Sequence, residues 1–140
     1  EGLCDYVGLL LLALPGDEND MATPRLVGTY LAPFLPGGFR PYPYTTSLID
    51  NPHTYSSIGS GVSVPHGVGS VFAEIMWVVT SKFTDRDGFS GFQFMLQLIT
   101  DGLKLCPTSP TFIDLRDAIL QADLVNNSGA NQCKIGRAHV

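Results

Sequence analysis

Hydrophobic residues crowd the first fourteen positions and the second half of the chain, and the two regions are patterned differently. From Tyr6 to Leu14 the run is apolar apart from Gly8, with Glu1 and Asp5 the only charges before it, and it stops at Pro15-Gly16, a helix terminator. An opening segment apolar nearly all round predicts a buried helix. After Pro65 the pattern becomes periodic. Val68, Val71, Phe72, Ile75 and Val79 recur at three- and four-residue spacing, which predicts one face of an amphipathic helix running to about Phe83. A polar turn over Thr84 to Gly88 leads to Phe92, Met95, Leu96, Ile99 and Leu103, again at helical spacing, closing near Cys106-Pro107. Ser109 or Thr111 is placed to cap a further helix carrying Phe112, Leu115, Ile119 and Leu120, which ends in the turn from Asn126 to Gly129.

Between these regions lie eight of the ten prolines, from Pro15 to Pro65, with Gly37-Gly38, Asn51-Pro52 and the Ser/Gly stretch from Ser56 to Ser63. Regular structure is expected to be sparse there, with short extended or helical pieces around Leu26 to Leu31. Long loops of this kind are usually functional or disordered. The pattern therefore predicts a mainly α architecture with a long Pro/Gly-rich loop region, without repeats or low-complexity segments.

The 140 residues are 44% hydrophobic, enough for one domain to bury a core. Charged residues make up only 15%, and 13 acids against 8 bases leave a net charge of -5, so no basic patch exists to release counterions from a phosphate backbone. Nucleic acid is excluded as a partner on this ground. The longest apolar run, nine residues, is far short of the roughly 20 needed to cross a bilayer, so no membrane span is expected. The chain opens Glu1-Gly2-Leu3-Cys4-Asp5 without Met and reads as an interior stretch of a longer protein. Three cysteines, Cys4, Cys106 and Cys133, allow one disulfide and a leftover thiol, and the sequon Asn126-Asn127-Ser128 leans towards secretion.

Glu1 and Asp5 stand at i and i+4, on one face of the predicted first helix. Two carboxylates in an otherwise apolar segment call for a partner, and a metal ion or the side chains around one would supply it. The alternative is a solvated helix start, where acids suit the dipole. His66 begins the second helix, behind Pro65 and followed by Gly67 and Gly69, which leave room for a backbone or ligand to approach. The positive end of the helix favours a neutral ring that donates one hydrogen bond to developing negative charge; a capping or surface histidine is the competing reading. Arg40, between Gly37-Gly38-Phe39 and Pro41-Tyr42-Pro43-Tyr44, could grip a carbonyl or carboxylate with its planar fork, or form an ion pair at the rim. Met76 and Trp77 read as packing residues, and His53 has no visible constellation. No His-Glu-x-x-His, Cys-x-x-Cys or glycine-rich phosphate loop is present.

Several blocks, in order along nearly the whole chain, resemble the fungalysins, secreted fungal zinc metallopeptidases of the thermolysin-like type. Glu1-Gly2-Leu3-Cys4-Asp5 is similar to the family's Glu-Gly-Trp-Ser-Asp; the stretch from Gly38 to Ser47 to Gly-Ile-Arg-Pro-Tyr-Pro-Tyr-Ser-Thr-Ser; and Asn51-Pro52-His53-Thr54-Tyr55 to Asn-Pro-Leu-Thr-Tyr. His66-Gly67-Val68-Gly69 with Trp77 resembles the His-Ala-Ile-Gly helix, while Leu96 to Leu105, Pro110 to Asp123 and Gly129 to Cys133 resemble the C-terminal helices.

The resemblance implies the C-terminal helical lobe of a thermolysin-like metallopeptidase over residues 1–133, with zinc as cofactor and protein or peptide as substrate. It implies Glu1 as a zinc ligand, Asp5 as the outer carboxylate that orients a zinc-bound histidine, His66 as the oxyanion donor, and Arg40 as a substrate-carbonyl contact that also supports ligand geometry. The His-Glu-x-x-His helix should lie upstream, so the stretch alone is expected to be inactive; its partners would be an N-terminal propeptide and the upstream half of the catalytic domain, in an extracellular protein. A catalytically dead helical interaction or structural module with the same fold is the alternative. Departures from the pattern are Leu3 and Cys4 beside the ligand, the latter a thiol that could make a zinc site redox-sensitive, and Gly61, which stands where no acid is evident to orient His66. Cys106 falls two residues before the family's cysteine position, which still leaves a Cys106–Cys133 bridge open. The tail Lys134 to Val140 departs from the family's Ile-Trp-Arg-Ala-Phe-Ala and matches one frame of a common sequencing adapter; residues 134–140 are expected to be read-through, with no role for His139.

Overall fold

The computed structural model describes residues 1–137. Five helices carry the fold: α1 (Gly2–Leu12), α2 (His66–Asp87), α3 (Ser90–Leu105), α4 (Phe112–Asn127) and the short α5 (Gln132–Gly136). Extended pairing among the described residues is limited to one antiparallel bridge, Arg25 with Tyr44. The mainly helical expectation is met. The tail expected to be read-through lies partly outside the described residues, which exclude 138–140 and with them His139.

The longest helix, α2, is the hub, packing against α1 and α3 and touching α5. It departs from the amphipathic reading, because from Gly67 to Thr84 it buries Ser70, Glu74, Thr80 and Ser81 as well as Val71, Phe72, Ile75 and Val79 of the predicted face, whose first member, Val68, is half-buried. Neighbours on several sides cover it, and its hydroxyls bond backward to carbonyls of its own turns, as Thr80 Oγ1 does to Met76 O at 2.8 Å. Conversely, α1 is less buried than its run of leucines predicts. Only Gly2, Tyr6 and Leu10 are buried, a strip at i, i+4 and i+8, while Leu11, Leu12 and Leu14 are exposed. Tyr6 sets this strip on α2 by bonding its hydroxyl to Thr80 at 2.9 Å.

At the head of that strip the two helices meet backbone to backbone. A Cβ on Gly69 would stand 2.7 Å from Gly2 N and 2.9 Å from Glu1 Cβ, so only glycine allows this approach. Gly69→Ala should push the first turn of α1 away and cost about 1–3 kcal/mol, read as a lowered urea midpoint at unchanged helical content.

Gly88, at φ 62°, closes α2 and turns the chain into α3. Of the two candidate caps for α4 the structure selects Thr111, whose hydroxyl accepts Asp114 N while Asp114 accepts Thr111 N, a reciprocal capping box. Buried Asp123 accepts from Asn131 N, Asn131 Nδ2 and Gln132 Nε2, tying the start of α5 to α4. Cys4, Cys106 and Cys133 are all free thiols, so the Cys106–Cys133 bridge is not formed.

The long connection from Ala13 to Pro65 is irregular, as expected, apart from 3-10 turns at Asp17–Asn19 and Tyr55–Ser57; no extended or helical piece forms at Leu26 to Leu31. It is nonetheless pinned to the helices. Arg25 and Tyr44 exchange backbone hydrogen bonds at 2.9 Å, Thr46 N donates to Met21 O, and Trp77 Nε1 donates to Met21 O at 3.3 Å. This folded-back loop carries Arg40 and Tyr44 to the start of α1.

Candidate functional site

Four residues singled out in the sequence, separated by up to 65 positions, meet at the N-terminal ends of α1 and α2. Asp5, on the loop-facing side of α1, is only 7% exposed at its side chain. Arg40 grips it with two parallel bonds, Nε to Oδ2 and Nη2 to Oδ1, the latter at 2.9 Å. Tyr44, fully buried, donates its hydroxyl to the same Oδ2. Burial raises the Asp5 carboxyl, but the hydrogen bonds from Arg40 and Tyr44 outweigh it and hold the group below the usual carboxylate range. Burial and then the Asp5 hydrogen bond push the Tyr44 hydroxyl upward, so it stays a donor.

One turn back, Glu1 accepts a hydrogen bond from His66 Nδ1 at 2.7 Å and lies 3.6 Å from Arg40 Nη2. Glu1 is 39% exposed and His66 62%, so this pair faces solvent while the Asp5 cluster behind it is closed. The Gly2–Gly69 crossing explains the pairing, since it brings the residue before Gly2 onto the first turn of α2. Beside the pair opens a mostly apolar cavity of about 280 Å³ lined by Val64, Val68, Phe72, Phe112 and Leu115.

The other candidates fall elsewhere. Cys4 lines a shallow groove with Gly8, Leu12 and Leu26 to Gly28. His53 packs edge-on to Tyr42 at 4.8 Å, its pKa lowered by burial and its Nδ1 buried without a partner. Trp77 and Met76 are core residues, as expected.

Two residues in and behind this cluster escaped sequence reasoning. Tyr44 carried a signal, a second tyrosine in Pro41-Tyr42-Pro43-Tyr44, but nothing in that motif says which ring turns inward. Glu74 is an acid among apolar residues of α2, 2% exposed, whose Oε2 accepts Thr45 N at 3.3 Å. Burial pushes its carboxyl up to about 8, against smaller opposing pulls from Thr45 and Asn51.

Among the described residues no three His, Cys, Asp or Glu side chains are grouped so as to hold a metal ion. The accessible carboxylate of Glu1 fits one position of a zinc coordination sphere, whereas catalytic zinc usually takes three protein ligands, so the donors of this stretch fit part of such a site and not the whole.

The ends of α1 and α2 thus bring together two carboxylates, a guanidinium fork and a helix-start histidine in one cluster. The chain belongs to the fungalysin metallopeptidase family, whose sequence model matches residues 1–139. It is similar to extracellular metalloproteinase MEP of Neosartorya fischeri, 38% identical over 99% of this chain and 23% of that protein. Extracellular metalloproteinase mep of Aspergillus niger is 38% identical over 98% of the chain, and extracellular metalloproteinase 2 of Trichophyton rubrum 32% over 99%. The chain spans 23% of the length of each of these relatives. Among the described residues no helix is long and apolar enough to cross a membrane.

Proposed function

We propose that this chain is part of the catalytic domain of a secreted zinc metalloendopeptidase and that Glu1, Asp5, Arg40 and His66 are its share of the active site. The observation that supports this reading is their convergence: residues from two helices and a distant loop form one connected cluster, open at Glu1 and His66 and closed at Asp5. Membership of the family and similarity to extracellular metalloproteinases support hydrolysis of peptide bonds as the class of reaction, with extracellular proteins as the proposed substrates.

When bound, zinc supplies Lewis-acid polarisation of the reacting oxygens. Glu1 would provide one carboxylate oxygen for it. Asp5 Oδ1 accepts only Arg40 Nη2 among the described residues and so keeps a lone pair for the outer N–H of a ligand histidine, which would fix that ring and raise its basicity. His66 donates Nδ1–H to Glu1 here; once that carboxylate is committed elsewhere, the N–H is released towards an oxyanion developing on the scissile carbonyl. Arg40 spends Nε and Nη2 on Asp5, leaving the Nη1 edge of the fork for a substrate carbonyl. The remaining ligands and the general base are assigned to a His-Glu-x-x-His helix upstream, next to a propeptide, with 1–133 belonging to the catalytic domain and 134–140 being read-through.

The test is a longer polypeptide that joins this chain to its upstream coding sequence. Glu1→Gln should lose stoichiometric zinc by metal analysis. His66→Ala should keep the zinc and lower kcat by roughly 10²- to 10³-fold with KM nearly unchanged, the usual loss for one oxyanion donor. A His66→Ala protein without zinc would make His66 a ligand instead, and one with full activity would remove it from the site. If the upstream sequence holds neither histidine, the chain is a catalytically dead module.

A further inference from the structure

Glu74 has no role in the reading above, yet it is the one carboxylate of α2 buried in the helix interior without an ion-pair partner among the described residues. A lone carboxyl in that position is costly unless it satisfies other polar groups. What it satisfies is the loop that forms the Asp5 cluster. Its Oε2 accepts Thr45 N at 3.3 Å.

This contact holds the start of one turn, which the chain closes by its own bonds. Asn51 Nδ2 donates to Pro43 O at 2.8 Å, closing the turn from Pro43 to Asn51 upon itself. Thr45, fully buried, donates its hydroxyl to Ala22 O at 2.6 Å and accepts Ser47 N at 3.1 Å. Tyr44 sits between these anchors, its backbone paired to Arg25 and its hydroxyl on Asp5. Arg40, four residues earlier, completes the grip. The path from α2 to the site is thus short: Glu74, the Thr45 amide, the adjoining Tyr44, and Asp5.

We propose that Glu74 is a positioning residue that seats the Pro43–Asn51 turn on α2 and thereby holds Tyr44 and Arg40 on Asp5. It touches neither Glu1 nor His66 and acts only through the loop. The inference rests on the reading of Asp5 and Arg40 as site residues for its functional meaning, but its structural content is independent of any metal. A neutral acceptor suffices for the Thr45 amide, so Gln should replace Glu74 and an isosteric apolar residue should not.

The experiment is NMR on the 140-residue chain, following amide exchange at Thr45 and the Nε–H resonance of Arg40. In Glu74→Leu, Thr45 exchange should accelerate about tenfold or more, the size of one lost hydrogen bond, and the protected Arg40 Nε–H should broaden or vanish, while the Trp77 indole signal and the Tyr6–Thr80 contact stay in place. Glu74→Gln should restore both loop signals. An Arg40 Nε–H unchanged in Glu74→Leu overturns the proposal, as does a Gln variant that behaves like Leu. Should the Leu variant not fold, the unsubstituted chain decides between about pH 6 and 10, a range that spans the folded Glu74 value of about 8. The Thr45 amide and Arg40 Nε–H must then shift with the midpoint at which the Glu74 carboxyl itself titrates, distinct from the midpoints of the nearby groups His53, Tyr44 and Tyr6; no shared midpoint also overturns it. Zinc enters none of these readouts, so loss of the metal reading would leave this result standing, and an unmoved Arg40 signal would leave the metal reading standing.

Discussion

Asp5→Ala should destabilise the chain by about 3–5 kcal/mol in urea or thermal unfolding, the loss expected when one member of a buried ion pair is removed. The cost comes from the groups left behind. Arg40, with its side chain 14% exposed, keeps a guanidinium whose two inner donors lose their Asp5 acceptors, and the fully buried Tyr44 hydroxyl loses its acceptor. A simple loss of packing would be far smaller, because the deleted carboxylate carries little apolar volume. The distinction is measurable: removing both charges in Asp5→Leu/Arg40→Met should recover the part of the loss that comes from the unpaired guanidinium, leaving only the smaller cost of the Tyr44 hydroxyl without its acceptor. If Asp5→Ala unfolds at the same midpoint as the parent chain, the cluster is solvent-screened and Asp5 is not a structural anchor.

The Asp5 cluster also shows which parts of the site were legible in the sequence. The i, i+4 spacing of Glu1 and Asp5 calls for a partner, and the structure supplies Arg40, which pairs with both, together with His66 on Glu1 and Tyr44 on Asp5. Spacing within a helix shows which residues share a face. It does not show which loop comes to meet that face. The family resemblance places Arg40 there, while the motif does not single out Tyr44, because the inward turn of one tyrosine out of two depends on the Arg25–Tyr44 bridge, a contact across 19 residues of irregular chain. The same reasoning accounts for the helices. The spans of α3 and α4 followed from periodicity plus local punctuation, Gly88 at one end and the Thr111 cap at another. Burial did not follow as well, because it belongs to neighbours and not to the segment: the leucines of α1 face outward beyond a narrow strip, whereas polar Glu74, Thr80 and Ser81 of α2 are enclosed on several sides.

Stability should fall as the pH rises from about 4.5 to 8, with Glu74 as the cause. Its carboxyl is raised from 4.5 in the unfolded chain to about 8 in the folded one, so in this window the native state binds a proton that the unfolded state has released. The stabilisation linked to that proton is complete below the unfolded value and lost as pH passes the folded one. A tenfold difference in proton affinity between the two states is worth about 1.4 kcal/mol, which puts the decline on the order of 4 kcal/mol across the window. Asp5 has the opposite sign. Held below its ordinary value by Arg40 and Tyr44, it favours the fold above about 3.8 and withdraws that support under acid, so the two groups together place the stability maximum in mildly acid solution. Urea unfolding on either side of the window, at about pH 5 and about pH 8.5, measures the decline directly, and Glu74→Gln, which cannot ionise, should flatten it while raising stability at the alkaline end. A Gln variant that retains the full decline would overturn the assignment to Glu74, because His53, lowered by burial, makes stability rise with pH and Cys106, raised from 9.0, acts only above this window.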